Sequence, residues 1–185
     1  MIKKVVFLMA LSAMGVASVH AQEVNFGAKA GFNIANVMGD NTGSLDAVTA
    51  FNAGLMAEIP LSEKFSIQPE LLFSGQGYSF GDNVVALNYL NLPVIGKYYV
   101  MKGLSLEAGP QLGLLLSAKN EGTDVKDSFR SVDFGINAGL GYKFDNGLNF
   151  SARYNFGLTN IIDQKLVINN NTNGVFQVSV GYFFF

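Results

Sequence analysis

The sequence contains no cysteine and no tryptophan, and its only histidine is His20. Without cysteine the chain has no disulfide framework, so its stability must come from its architecture. The usual zinc ligand sets need His or Cys, as do Cys-His and Ser-His-Asp machinery. Once the segment that contains His20 is set aside (see below), none of these chemistries is available, and the sequence predicts no cofactor and no metal site.

Charge is also scarce, and so are long apolar runs. Charged residues make up 14% of the chain, against roughly 25% in an ordinary soluble domain. Hydrophobic residues reach 49%, yet beyond the N-terminal segment no stretch approaches the roughly 18 consecutive apolar residues of a spanning helix. An apolar chain without a spanning helix is typical of a membrane β-barrel.

The first 21 residues have the pattern of a secretory signal peptide. A basic start at Lys3 and Lys4 precedes an apolar run over 5–16 and the small-residue site Val19-His20-Ala21. A membrane anchor is the weaker alternative, because the run is short of the roughly 20 residues that a spanning helix needs. We therefore expect a signal peptide at 1–21 and one barrel domain at 22–185. Loss of two lysines leaves ten basic and fourteen acidic residues, a net charge of −4 that argues against a nucleic-acid partner.

The clearest structural signal is a strict alternation over Val132–Phe144. Every second residue is apolar from Val132 to Phe144, and the residues between them are polar or glycine, a period of two that only a strand can use. The same pattern occurs seven more times. The sequence thus predicts eight strands, at 24–34, 51–59, 65–73, 90–98, 104–114, 132–144, 148–156 and 176–184.

The connections between these strands alternate in length. Long polar connections are predicted near 37–48, 117–130 and 158–173, and a shorter one near 81–85, whereas tight turns fall at 60–64, 101–103 and 145–147. An all-β, up-and-down antiparallel barrel with its short turns at one end and its long loops at the other produces this order. An even strand number places both ends of the chain on the short-turn side.

The apolar face of the barrel is predicted to point outward. In a soluble, lipocalin-like barrel the polar face would meet water and be rich in Lys and Glu, but here it is mostly Gly, Asn, Ser and Gln. An eight-stranded barrel also has too narrow an interior for the bulky apolar face. An aromatic girdle on the short-turn side supports a membrane interface; its residues are Phe26, Phe65, Tyr98, Phe150, Tyr182 and Phe184. Pro69, Pro93 and Pro110 fall inside predicted strands, where a missing N–H breaks the ladder unless there is a bulge.

Strand parity directs eight charged side chains into the lumen. They are Lys29, Lys97, Lys143 and Arg153 with Glu58, Glu70, Glu107 and Asp133. Because burying unpaired ions is costly, we expect these groups to pair or form a network. A charge-lined conduit or proton relay is one interpretation. The other, which we favour, is a polar plug completed by Gln68, Gln111, Asn137 and Asn155, because so narrow a barrel seldom keeps an open pore.

Other polar clusters give little support for a catalytic or ion-binding site. Glu70 and Glu107 could act as a general acid and base, but their spacing equally suits salt-bridge partners and no nucleophile with a base accompanies them. Acidic residues of the long loops, such as Asp40 and Asp46, lack the ligand spacing of a calcium loop. We therefore expect no enzymatic activity.

Five blocks of the sequence resemble, in order, the PorT-like outer-membrane β-barrel family of bacteroidete-type Gram-negative bacteria. The blocks are GAKAGFNIA at 27–35, YLNLPVIGKYY at 89–99, EAGPQLGLLL at 107–116, DFGINAGLGYKF at 133–144 and ARYNFGLTNI at 152–161. The resemblance implies an eight-stranded outer-membrane barrel related in architecture to OmpA- and OmpX-like barrels, with both mature termini in the periplasm. It carries over no catalytic motif. The family's namesake is linked to export of secreted proteins across the outer membrane.

The sequence and the resemblance together favour a closed barrel with a structural or interaction role at the cell surface. A narrow porin and an accessory component of secretion are the alternatives, and a lipid-modifying enzyme is disfavoured because the mature chain lacks histidine. Expected partners are outer-membrane lipid, the barrel-assembly machinery, and surface or secretion-system proteins. By the resemblance, that machinery reads the last strand, where Tyr182 and Phe184 are predicted to face lipid and Phe185 to be an overhang.

Overall fold

A computed structural model describes residues 24–40, 42–162 and 170–184. The predicted signal peptide and the predicted overhang at Phe185 lie outside these residues. No helix in the described part of the chain is long and apolar enough to cross a membrane.

Eight long strands form the protein, and a two-residue strand and one 3-10 turn lie in the connection after the fifth. They are β1 (Asn25–Gly39), β2 (Asp46–Pro60), β3 (Phe65–Phe80), β4 (Asn83–Met101), β5 (Leu104–Asn120), the short β6 (Thr123–Asp124), the turn Lys126–Ser128, β7 (Val132–Lys143), β8 (Leu148–Gly157) and β9 (Asn171–Phe183). Each long strand pairs antiparallel with its chain neighbour. Pairing of β1 with β9 closes the sheet into a barrel. The predicted eight-stranded antiparallel barrel is confirmed.

The strands are longer than predicted at the long-loop end. β1 continues to Gly39 and β2 begins at Asp46, within the predicted 37–48 connection; β4 begins at Asn83, β5 continues to Asn120, and β9 begins at Asn171. The alternation weakens there because these segments extend beyond the apolar belt, where neither face has to be apolar. Beyond the apolar belt, hydrogen bonds between neighbouring strands, rather than contact with lipid, maintain the strand conformation.

The two faces of the barrel have the predicted orientation. Outward residues such as Phe32, Leu55 and Leu140 are exposed on the isolated chain, whereas inward polar residues such as Asn33 and Ser66 are buried. Eight strands leave an interior that side chains can fill. The outward apolar surface is the part that membrane lipid covers.

A second set of outward aromatic residues lies toward the long-loop end, where the sequence analysis identified none. Phe51 stacks on Phe73 with ring centroids 5.2 Å apart, and the set also contains Phe32, Phe134, Tyr154, Phe156 and Phe176. Together with the predicted girdle at the short-turn end, this second girdle marks the other membrane interface.

The in-strand prolines interrupt the ladder but do not change its register. Between the pairs Pro69↔Val94 and Leu72↔Asn91 two pairings are missing, yet the register is the same on both sides. The register shifts lie elsewhere, between Ala47 and Asn52 of β2 and at Asn88/Tyr89 and Tyr99/Met101 of β4. Of the two expected outcomes, a broken ladder or a bulge, the prolines therefore produce the broken ladder, since a missing N–H removes a hydrogen bond without adding a residue.

Candidate functional site

The lumen is the part of the barrel where the functional candidates converge. From the short-turn end to the long-loop end it contains a network of ion pairs, layers of hydrogen-bonded amides and hydroxyls, and an apolar cluster. Each is built from residues on the inward parity of neighbouring strands.

Arg153 of β8 lies at the centre of the ion network. Its Nε donates to Glu107 Oε2 at 2.5 Å and its Nη1 to Glu70 Oε1 at 2.7 Å. These carboxylates come from β5 and β3, so one guanidinium joins three strands across the lumen. Its side chain is 3% exposed, and the fork of a guanidinium suits two carboxylates at once.

Three lysines complete the network. Lys29 Nζ lies 3.3 Å from Glu70 Oε2, and Lys97 Nζ lies 3.6 Å from Glu58 Oε2 and 3.7 Å from Glu107 Oε1. Lys143 Nζ donates to Glu58 Oε2 at 3.0 Å. The predicted lumen charges Lys29, Glu58, Glu70, Lys97, Glu107, Lys143 and Arg153 thus form one continuous set of ion pairs. We call this set of seven residues the lumen network.

Asp133, the eighth predicted lumen charge, is not part of the lumen network. It is buried on β7, toward the long-loop end, where its Oδ2 accepts a hydrogen bond from Asn173 Nδ2 at 2.8 Å. Parity correctly placed Asp133 inside, but parity does not give height along the barrel axis. The expectation that all eight charges share one space is therefore wrong for Asp133.

Neutral polar side chains fill the space around and beyond the lumen network. Gln68 donates to Glu70 Oε1 at 2.6 Å and accepts from Lys97 at 3.1 Å, and Asn137 donates to Gln111 at 3.2 Å and receives from Asn155 at 3.4 Å. The four predicted plug residues are therefore all in hydrogen-bonded positions.

A further polar layer was not singled out from the sequence. Asn33 donates to Ser74 at 2.9 Å, and Asn52 donates to Asn33 Oδ1 at 2.9 Å. Ser179 donates to Asn52 Oδ1 at 3.0 Å. These residues have the inward parity of β1, β2, β3 and β9, so the same alternation that revealed the charges could have found them.

An apolar cluster that was not predicted from the sequence lies at the long-loop end of the lumen. Leu87 and Tyr89 of β4 point inward and are almost completely buried. The cluster consists of Val37, Leu87, Tyr89, Leu115, Ala118 and Ile161, with Val125 and Phe129 among the partly buried residues packed on it. Part of the connection between β5 and β7 thus folds back over the barrel. A sequence signal existed, because Leu87 and Tyr89 are apolar on the face that parity assigns to the lumen.

At the short-turn end the lumen meets an open basin of about 760 Å³. Glu58, Tyr99, Lys143 and Phe183 are among its lining residues, and the three short turns lie around its rim. Across two of these turns the fully exposed Lys102 and Asp145 form an ion pair at 2.6 Å, and the hydrogen bond to this carboxylate raises the pKa of the Lys102 amine. In the described part of the chain no group of three or more Asp, Glu, His or Cys side chains is arranged to hold a metal ion.

Comparison with known families identifies the barrel. The family model for the outer membrane protein beta-barrel domain matches residues 20–163, which is most of the chain. The chain belongs to this family. The protein is therefore an outer-membrane barrel whose outward face is embedded in membrane lipid. No curated protein sequence matches the chain.

Solved structures of surface proteins share the fold of this outer-membrane barrel. Neisserial surface protein A is similar with a TM-score of 0.61 and 14% identity, over 88% of this chain and all of that one. Ail, the attachment invasion locus protein of Yersinia pestis, is similar with a TM-score of 0.54 and 15% identity, again over 88% of this chain and all of Ail. At this level of identity the likeness shows a common fold.

Proposed function

We propose that this outer-membrane barrel is closed and has a structural or interaction role at the cell surface. The observation that supports this role best is the filling of the lumen along its length by the lumen network, the polar layers and the apolar cluster. Each layer ties together strands that are distant in sequence, as Arg153 does for β3, β5 and β8. Such a plug occupies an interior that in an eight-stranded barrel is just wide enough for side chains, and it leaves no continuous path for a solute.

Conductance separates the closed barrel from the alternative of a narrow porin. The full-length mature protein is refolded and added to planar lipid bilayers, with a wide-lumen porin as the positive control. We expect no conductance steps above those of protein-free bilayers. Reproducible steps from the wild-type protein would contradict a closed lumen and favour the porin.

The long-loop end is the part that we propose to interact with other molecules. The β3–β4 hairpin continues past the second girdle to a tip where Phe80 is 59% exposed and Val84 is 46% exposed. Apolar side chains that project beyond the membrane belt are typical of protein contact sites. With the long loops outside, both ends of the described barrel face the periplasm, and no enzymatic activity is needed to explain the molecule.

A role as an accessory component of protein secretion is the second candidate. The feature that favours it is the order of the five PorT-like sequence blocks, which span most of the mature chain. Comparison of the proteins exported by cells with and without this barrel distinguishes the candidates, since only an accessory component would be required for export. The barrel-assembly machinery is proposed as a partner in both cases.

A further inference from the structure

The floor of the open basin separates solvent from the most deeply buried part of the lumen network, whereas Lys143, with a side chain that is 24% exposed, lines the basin itself. Phe183, the last residue of β9, alternates with the outward Tyr182 and Phe184 and is 5% exposed. Its backbone N–H donates to Gly147 O at 2.9 Å, which ties the end of β9 to the turn before β8. The phenyl ring therefore faces the lumen at the level where the basin ends.

Two lysines of the lumen network contact this ring. Lys143 Nζ lies 4.5 Å from the ring centroid and Lys97 Nζ lies 5.9 Å from it. The same ammonium groups lie 3.0 Å and 3.6 Å from Glu58 Oε2. Cations over an aromatic face are attracted to its π electrons, so the ring packs directly on the charged layer.

Tyr99 extends the floor beside Phe183. Its hydroxyl donates to Glu58 Oε1 at 2.5 Å, and Lys97 Nζ also lies 5.5 Å from its ring. The two aromatic rings thus flank one carboxylate and one ammonium group. The hydroxyl of Tyr99 is fixed by Glu58, whereas Phe183 has no polar atom in its side chain and excludes water by its bulk alone.

The two ends of the lumen differ in how they are covered. At the long-loop end a six-residue apolar cluster, reinforced by the β5–β7 connection, lies between solvent and the polar layers. At the short-turn end, in the described part of the chain, the rings of Phe183 and Tyr99 lie at the bottom of an open basin that Glu58 and Lys143 also line. Removal of one side chain is therefore a large change at this end.

We infer that Phe183 is a hydrophobic seal that keeps water from the buried members of the lumen network on the short-turn side. This inference rests on the proposed closed lumen and adds the residue on which closure at that end depends. Ion pairs are strong only where water is excluded. Opening of the seal would thus hydrate Lys97 and Glu58, whose side chains are 4% and 2% exposed, and expose the lumen to small polar molecules in the basin.

The cysteine-free chain permits a direct test by thiol labelling. Ser105 is 1% exposed and points into the lumen on β5, near Glu107, so Ser105→Cys places one thiol behind the floor. The refolded full-length barrel carrying this reporter is treated with iodoacetamide, a small neutral reagent. We expect Phe183→Ala to raise the labelling rate at least about tenfold, because protection of a buried site follows its opening free energy.

Matched variants distinguish loss of the seal from a general loosening of β9. Tyr182→Ala removes an adjacent ring of similar size that faces lipid, and we expect it to leave the labelling rate unchanged. Phe183→Leu keeps an apolar side chain at the floor, and we expect a rate close to that of the reporter protein. Gel mobility of the folded form verifies that each variant retains its barrel; should Phe183→Ala fail to fold, the comparison uses Phe183→Leu and Phe183→Ser.

Two outcomes would overturn the seal. One is fast labelling of Ser105→Cys with Phe183 intact; the other is an unchanged slow rate in folded Phe183→Ala or Phe183→Ser protein whose thiol reacts normally after unfolding. Neither outcome alone would mean that the wild-type lumen conducts ions. Failure of the seal is thus distinguishable from failure of the proposed closed barrel, which the bilayer measurement tests.

Discussion

Arg153 is one side chain that holds several strands together across the lumen. Its guanidinium pairs with the carboxylates of Glu70 and Glu107, and in the described residues no other arginine lies near them. Each of these carboxylates also lies near a lysine. Within a protein interior, loss of one charge leaves its partners buried and uncompensated, which costs far more than loss of a surface pair. Arg153 and the two carboxylates that it joins, Glu70 and Glu107, are therefore sensitive positions of the lumen network.

Substitution of Arg153 or Glu107 should destabilise the folded barrel. We expect Arg153→Ala and Glu107→Ala each to lower the free energy of unfolding by about 3–5 kcal/mol. The measurement is the temperature at which folded protein loses its heat-modifiable gel shift, the mobility difference between folded and unfolded barrel. Lys102→Ala, which breaks the fully exposed pair with Asp145, is the control and should leave that temperature unchanged. An unchanged temperature for both lumen variants would show that the network contributes nothing to stability.

Residue identity and strand parity predicted which charges point inward, but not which of them meet. Seven of the eight converge because the stagger of the strands brings Arg153 level with Glu70 and Glu107. Asp133 has the same parity as Arg153 and lies instead near Asn173. Height along the axis follows from the register between strands, and one sequence without its pairings does not contain that register.

The sequence predicted the bounds of the strands accurately within the apolar belt and poorly beyond it. Within the apolar belt every lipid-facing position must be apolar, so the alternation of β7 between Val132 and Lys143 is complete. Beyond the belt β5 continues to Asn120 through Leu115 and Leu116, whose order breaks the alternation. This break accompanies the register shift at Asn88/Tyr89, a feature that alternation alone does not reveal.

The outward aromatics of β9 lead to a prediction about membrane assembly. Tyr182 and Phe184 are exposed to lipid, with Tyr182 47% exposed on the isolated chain. We expect Tyr182→Asp and Phe184→Asp each to abolish insertion, because a carboxylate would replace the lipid-facing ring that, by resemblance, the assembly machinery reads. Folded protein in the outer-membrane fraction is the measurement.

Conservative changes at the same end of β9 supply the controls. Tyr182→Phe keeps the ring and should insert normally, and deletion of Phe185 should leave insertion nearly intact. Normal amounts of folded Tyr182→Asp and Phe184→Asp protein would show that these rings are dispensable for assembly.

For the molecule as a whole, composition alone was enough to select the fold class. An exported chain that is apolar, poor in charge and free of cysteine has few alternatives to a closed barrel. What composition did not reveal is the difference between the two ends of the lumen, with an apolar cluster at one and aromatic rings beside an open basin at the other. Both ends contain apolar residues on the face of the strand that points into the lumen, such as Leu87 and Phe183. A prediction from alternating apolar and polar residues expects polar residues at these positions.

Burial of the lumen network predicts how the whole barrel responds to salt. Increasing NaCl from about 0.1 M to about 1 M shortens the Debye length from about 10 Å to about 3 Å and screens exposed charges, whereas buried pairs are screened much less. We therefore expect the unfolding temperature of the wild-type barrel, measured by the heat-modifiable gel shift, to change little. A steep decrease with salt would mean that the ion pairs are in contact with solvent.

Because its strands differ in length, the barrel is asymmetric around its axis as well as along it. β4 has 19 residues and β9, on the opposite side of the barrel, has 13, so at about 3.4 Å per residue β4 is the longer of the two by about 20 Å of strand. Among the described strands, β4 therefore projects further at the long-loop end than β9 does. Recognition there depends on how the barrel is rotated in the membrane plane, and two neighbouring copies present the same wall to each other only in particular orientations.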